Sequence, residues 1–280
     1  MERIKNQLCR TSIFYILLHM KKKSFSLALG GWWARGISHI GVIRRLEELH
    51  SSPIAIAWTS MGSIIAALYA LGKTSADMEK ILEEVSWLKL IDFDMKKWLI
   101  KGAKVEKFLD FLFESKTFRD TKIPLFITAT DVDTGEELVF TEGLLSHAAR
   151  ASISIPGIFS PFSYNDRSLV DGWLVNNLPI EVLPPWSVIA VSAMRDLSRK
   201  IHFKHSVFSL DWQKTIFSNG YNVLQKTIDI MLAQNEGRSV ISRENVLYIR
   251  PKFDTLDYYE FSKYKEFIQS GYQTACIALP

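Results

Sequence analysis

Two apolar runs that each break into a small-residue turn and then a helical pattern constrain this chain more than any other feature. In the first, SFSLAL (24–29) runs into GGWWARG (30–36) and then ISHIGVIRRLEEL, whose Ile40, Ile43, Leu46 and Leu49 recur at helical spacing. In the second, IAIAW (54–58) passes through TSMGS (59–63) into IIAALYALG, a helix closed by Gly72. A run apolar on both faces suits a strand buried within a parallel sheet. A strand that turns straight into a helix leaves backbone N–H groups and the positive helix end at the turn. Such a turn is a place for negative charge, whether standing or developing during a reaction.

The alternation continues along the chain. SADMEKILEEV reads as a helix with Ser75 as its N-cap, and residues 104–115 as another. IPLFITATDV reads as a strand paired with ELVFT as a hairpin across Asp133-Thr134-Gly135. SVIAVSAM (187–194) and NVLYIRP (245–251) are further strands, and residues 206–235 are largely helical. Asn176, Asn177 and Pro179 extend a polar turn that leads to an apolar helix. Strands alternating with helices predict a mostly parallel sheet covered on both faces, a three-layer α/β/α sandwich. No Pro/Gly/Ser-rich linker interrupts it, so residues 24–280 are expected to form one domain.

The net charge of +4 is too mild to point to nucleic acid, and no nucleic-acid-binding motif accompanies it. Cys9 and Cys276 lie near opposite ends with no CxxC partner, which speaks against a disulfide framework and a cysteine metal site. No metal or cofactor is expected, and a reducing, cytoplasmic setting fits. The stretch SIFYILLHM (12–20) is too short to cross a bilayer and lacks a small-residue cleavage site. Met20 followed by KKKSFSLAL reads as a natural start, so residues 1–23 are expected to lie outside the fold. The alternative is a short interfacial anchor. There, Lys21 to Lys23, helped by the basic stretch Arg199 to His205, would meet anionic lipid at the inner membrane face.

Trp58-Thr59-Ser60-Met61-Gly62 sits where a nucleophile elbow would, although Trp58 replaces the first glycine of G-x-S-x-G. The plainer reading of Ser60 is a helix N-cap. A nucleophilic serine needs a base and oxyanion donors. The first turn can supply amides. The base is either a histidine (His39, His50, His147, His202 or His205) or Asp171 in SLVDGWLVNNLP. The plain reading of each histidine is a surface or partly packed side chain, and that of Asp171 is a tight turn.

Four ordered segments then carry a resemblance. GGWWARGISHIGV, WTSMGSIIAALYALG, RASISIPGIFSPF and LVDGWLVNNLP resemble the blocks of the patatin-like phospholipases, and the C-terminal GYQTA also fits. The resemblance implies a Ser–Asp dyad acting on lipid esters. Ser60 would attack, Asp171 would accept its proton, and amides of Gly31, Trp32, Trp33 and Ala34 would hold the oxyanion. It further implies that Gly36, Gly62 and Gly172 support the turns, and that Arg35 fixes the loop or binds a headgroup. Ile158, Phe159 and Phe162 would line an acyl groove, or else are plain core. The family has glycine where this chain has Trp32, Trp33, Trp58 and Trp173, four of its eight tryptophans. Glycine serves at such turns through positive φ and close backbone approach. The tryptophans are therefore expected to strain the turns and obstruct the ester's place, and reverting all four to restore activity without unfolding the chain. The competing readings are a non-catalytic acyl-binding protein of the same fold and a hydrolase with a Ser–acid–His order ending at His202 or His205. A dinucleotide-binding fold is weaker, since the glycine turn lacks its spacing.

Overall fold

The computed structural model describes residues 25–85, 93–94, 99–194, 212–253, 256 and 260–280. Lys21 to Lys23, residues 206–211 and the stretch Arg199 to His205, with His202 and His205, lie outside the described residues. In chain order the elements are β1 (Phe25–Leu29), a 3-10 turn (Trp33–Ile37), α1 (Ser38–Glu48), β2 (Ala55–Thr59), α2 (Gly62–Ala70) and α3 (Ser75–Glu84). A two-residue ladder of β3 (Phe93–Asp94) and β4 (Leu99–Ile100) precedes α4 (Ala103–Leu112), β5 (Leu125–Asp131), β6 (Glu137–Phe140) and α5 (Leu145–Ser152). Then come β7 (Phe162–Tyr164), β8 (Arg167–Asp171), β9 (Ser187–Val191), α6 (Trp212–Ile241), β10 (Val246–Ile249) and α7 (Tyr264–Ala278).

The central sheet has the order β10-β9-β1-β2-β5-β8-β7, with β6 also on β5. The run from β10 to β5 is parallel, while β6, β7 and β8 are antiparallel additions at one side. Side chains from both faces are buried, as the continuous apolar runs predict. One face packs Leu27, Leu29 and Trp58 with Ile43 of α1, Ala66 of α2 and Phe267 of α7. The opposite face packs Ala28, Ala57 and Val188 with Ile180 and, from α6, Val240. The result is the α/β/α sandwich with a mostly parallel sheet.

Two local expectations are corrected. The N-cap of α3 is Thr74, which shares a capping box with Asp77; Ser75 lies inside the helix, where its hydroxyl donates to Glu47 at 2.5 Å. No helix follows Pro179. Ile180 and Leu183 are buried, but Pro184 and Pro185 withhold the N–H donors a helix needs, and the segment runs on through turns to β9. Helices α5 and α7 carried no expectation, because alanine, serine and glycine dilute their apolar spacing. A Cβ on Gly41 would fall 2.0 Å from the Ile268 carbonyl oxygen, so α1 and α7 cross in backbone contact.

Register positions the site. Thr59, the last residue of β2, pairs with Thr128 of β5, and the next residue of β5, Ala129, pairs with Asp171 of β8. Because β8 runs against β5, its final residue arrives beside the turn that leaves β2. The turns after β1 and β2 lie at the carboxyl ends of adjacent parallel strands, where open α/β sheets bind ligands.

Candidate active site

Ser60 occupies the left-handed region, with φ +62. A side chain there is strained by roughly 1–3 kcal/mol and marks a sharp, over-determined turn. Its carbonyl accepts the first turn bond of α2 from the Ser63 N–H at 2.8 Å, and its own N–H donates to Ser152 Oγ at 2.8 Å. The hydroxyl does not cap the helix, whose N-cap is Met61 with no side-chain bond. It turns the other way and donates to Asp171 Oδ2 at 2.5 Å.

Asp171 is fully buried. Its second oxygen accepts from the Trp173 N–H at 3.1 Å, and its own N–H donates to the Ser154 carbonyl at 3.0 Å. Burial pushes its carboxyl well above the usual carboxylate range, against the opposing pull of the bonds from Ser60 and Trp173. A Cβ on Gly172 would lie 2.6 Å from Thr128 Oγ1, so the turn after Asp171 is pressed against β5.

The first glycine turn lies directly over this pair. A Cβ on Gly31 would fall 2.3 Å from Ser60 Cβ and 2.6 Å from the Thr59 carbonyl oxygen. Gly30 anchors the turn: its N–H donates to the Val191 carbonyl at 2.9 Å, and its carbonyl lies 2.7 Å from His39 Nε2. Ala34 is buried within the 3-10 turn, and Gly36 meets only ordinary contacts, the Gly62 nitrogen 3.6 Å from its virtual Cβ. Arg35 is buried. Its Nη2 donates to the Leu256 carbonyl at 3.3 Å and its guanidinium lies over Phe253, so it ties the turn to the C-terminal segment.

The four tryptophans have three settings. Trp58 is fully buried on the helical face of the sheet, edge-on to His39 with ring centres 4.9 Å apart. A Cβ on Gly62 would coincide with its indole, 1.1 Å from Nε1, so the partner of that glycine is the Trp58 side chain and not a neighbouring backbone. Trp32 has φ −173, an extended conformation open to any residue, and packs edge-on against Trp173 at 6.1 Å. Of the four, Trp33 alone has positive φ, at +47. Trp33 also forms part of the wall of a cavity of about 280 Å³ beside Ser60, which Met61, Ile64, Phe108, Ile158 and Phe159 help to line. Phe162 is not on that wall; it lies under the Arg150 guanidinium near Tyr164 and His147.

A family profile for the patatin-like phospholipases matches residues 27–184 of the 280. The chain belongs to that family. An uncharacterised NTE family protein of Mycobacterium tuberculosis is 29% identical over 223 residues, covering 78% of this chain and 60% of the relative. Patatin-like phospholipase domain-containing protein 6 of Homo sapiens is 26% identical over 274 residues, covering 89% of this chain and 20% of that protein. The chain thus spans about 60% of the mycobacterial relative's length and far less of the human one. Among solved structures, VipD from Legionella pneumophila shares the fold, with a TM-score of 0.61 at 16% identity, covering 92% of this chain and 66% of that one. Family membership supports a lipid ester hydrolase in general terms.

Within this patatin-like site, His39 is fully buried and not partly packed as expected. Burial lowers its pKa to about 4, so it is neutral near pH 7 and spans the turn as a hydrogen-bonding strut. His147 faces Glu106 at 3.6 Å and the Phe162 ring, away from the cavity beside Ser60. A Ser–acid–His order would put an imidazole between Ser60 and its acid, yet Asp171 takes the serine hydroxyl directly. Sequence reasoning missed Ser152, Ser154 and Arg150. All three lie in the HAARASIS stretch, where an arginine set among small residues was the available signal.

Proposed function

We propose that this chain hydrolyses lipid esters with Ser60 as nucleophile and Asp171 as general base. The 2.5 Å hydrogen bond between them at two converging turns carries the reading. Ser60 Oγ attacks the ester carbonyl as its proton passes to Asp171, and the carbonyl oxygen becomes an oxyanion. Amides of the Gly31–Ala34 turn, pressed onto Ser60, are the donors at hand. The oxyanion collapses, the leaving alkoxide takes the proton from Asp171, and an acyl-Ser60 ester remains. A water then repeats the sequence and frees the acid. Apart from Ser60, the cavity walls named above are apolar, which suits an acyl chain and keeps the dielectric low. Burial raises the Asp171 pKa, so kcat/KM should rise with pH as Asp171 ionises.

The test is labelling by a fluorophosphonate together with hydrolysis of a short p-nitrophenyl ester. The chain should label at Ser60, and Ser60→Ala should abolish labelling and reduce hydrolysis to background. Hydrolysis that persists undiminished in Ser60→Ala sinks the reading. A second reading, an acyl-binding protein without turnover, draws on the Trp33 indole at the cavity wall and its positive φ. It predicts saturable fatty-acid binding with no labelling.

The lipid substrate implies peripheral contact with an interface. Among the described residues no helix is long and apolar enough to cross a membrane. The outer side of α4, whose Val105 and Phe108 line the cavity, exposes Lys104, Lys107 and Phe111, with Lys101 just before it. Each basic residue near an anionic surface contributes about 1 kcal/mol, screened by salt. Co-sedimentation with phosphatidylglycerol vesicles is expected to fall as salt rises. Salt-independent binding would point instead to insertion of the apolar stretch at residues 12–20.

A further inference from the structure

The carboxyl ends of the parallel strands enclose a second buried carboxylate that the proposed reaction does not use. Glu236 comes from α6 and is almost wholly buried. Its Oε1 accepts from Asn177 Nδ2 at 2.6 Å. Its Oε2 accepts from Ser192 Oγ at 2.7 Å and from Tyr248 OH at 3.2 Å. Tyr248 in turn accepts from Arg250 Nη2 at 2.9 Å. These partners sit at functionally placed points of the chain. Asn177 ends the turn that Asp171 begins, Ser192 follows β9, and Tyr248 lies in β10.

The same carboxylate abuts the glycine turn. A Cβ on Gly30 would lie 3.3 Å from Glu236 Oε1 and 3.2 Å from the Asn177 carbonyl oxygen. Gly30 is thus held on three sides: by Val191 through its N–H, by His39 through its carbonyl, and by Glu236 with Asn177 against its Cα. The next residue, Gly31, is the one pressed onto Ser60. One side chain therefore touches both turns that must stay in register, the turn over Ser60 and the turn carrying Asp171.

We propose that Glu236 is a positioning residue that locks the glycine turn and the aspartate turn into their catalytic register. This rests on the hydrolase reading for its kinetic consequence but not for its structural one. Removing the carboxylate leaves the Asn177 amide and two hydroxyls competing for a cavity, and Gly30 loses the wall behind it. A displacement of about 1 Å at an oxyanion donor is enough to lower a rate by roughly 100-fold. Glutamine preserves the acceptor toward Asn177 and offers its N–H to Ser192 Oγ, which can accept as well as donate.

The experiment compares the full chain with Glu236→Ala and Glu236→Gln, each confirmed folded by circular dichroism below its thermal midpoint. On a short p-nitrophenyl ester, Glu236→Ala should lose at least ten-fold in kcat with KM within about two-fold, and glutamine should recover most of the loss. Amide hydrogen exchange should quicken in Glu236→Ala at residues 30–34 and 172–177 more than elsewhere. A merely structural role would lower the thermal midpoint, spread the exchange over α6, and leave kcat of the folded enzyme unchanged. That outcome, or a glutamine variant as impaired as alanine, overturns the proposal. If the unaltered chain neither labels at Ser60 nor hydrolyses the ester, the hydrolase reading fails, and the exchange pattern alone decides the role of Glu236.

Discussion

Exchanging Asp171 for asparagine is expected to lower kcat by about 10²–10⁴-fold and at the same time to raise thermal stability at pH 8. The rate loss follows from its proposed role as base: general-base catalysis contributes about that factor, and an amide cannot accept the Ser60 proton. The stability gain follows from burial, which holds the Asp171 carboxyl well above the usual range because ionising it there is unfavourable. A group whose folded pKa is raised contributes its full stability below its unfolded pKa, and loses it as pH climbs through the folded pKa. Asparagine is neutral throughout, can accept from the Trp173 N–H, and can donate to Ser60 Oγ. The two proteins should therefore have similar midpoints at pH 4 and diverge above it, with asparagine the more stable. Thermal melts from pH 4 to pH 9 check this. A variant that is less stable by the same margin at every pH would show that Asp171 is held for packing alone.

The second large effect separates two tryptophans that the sequence treats alike. Trp58→Gly should destabilise the chain by at least about 3–5 kcal/mol, because a fully buried indole leaves a cavity against Gly62, His39 and the sheet. Reverting all four tryptophans is therefore no longer expected to leave stability intact. Trp33→Gly should act in the opposite direction. It relieves the strain of the one positive φ among the four, roughly 1–3 kcal/mol, and widens the cavity beside Ser60. If the relief and the added room favour the transition state over the ground state by about 1.4 kcal/mol, short-ester hydrolysis rises about ten-fold. Urea midpoints for both variants and initial rates for Trp33→Gly test the pair. A Trp58→Gly protein as stable as the parent, or a Trp33→Gly protein no faster, would refute the respective half.

The sequence by itself determined the layered sheet and the two turns that matter most. Strand periodicity and helix periodicity are local properties, so SFSLAL, IAIAW, IPLFITATDV and the helices after the first two are legible without neighbours. The turns and their flanks are local too, which is why Ser60, Gly62 and Asp171 are legible as candidates, while Gly31 and Gly172 came through the resemblance to the patatin-like blocks. Where helices are built from small residues, as in HAARAS of α5 and around Gly271 of α7, the pattern fades, because what buries them is another backbone and not their own side chains.

Tertiary structure alone decided how those pieces meet. The meeting of Ser60 with Asp171, 111 residues apart in the chain, depends on β8 returning antiparallel to β5 in the register that pairs Asp171 with Ala129. No local pattern encodes that register. The fate of each tryptophan was likewise undecidable from its position in a motif: alternation along β2 sends Trp58 into the core, while the turn sends Trp33 to the cavity wall. Glu236 carries no motif at all, and its position against Gly30 exists only because α6 brings it to the residues that follow β1 and β9 and to Tyr248 of β10. Periodicity and turn chemistry act over a few residues and can be read in order, whereas a site assembled from strand ends is set by register and packing, which act across the whole sheet.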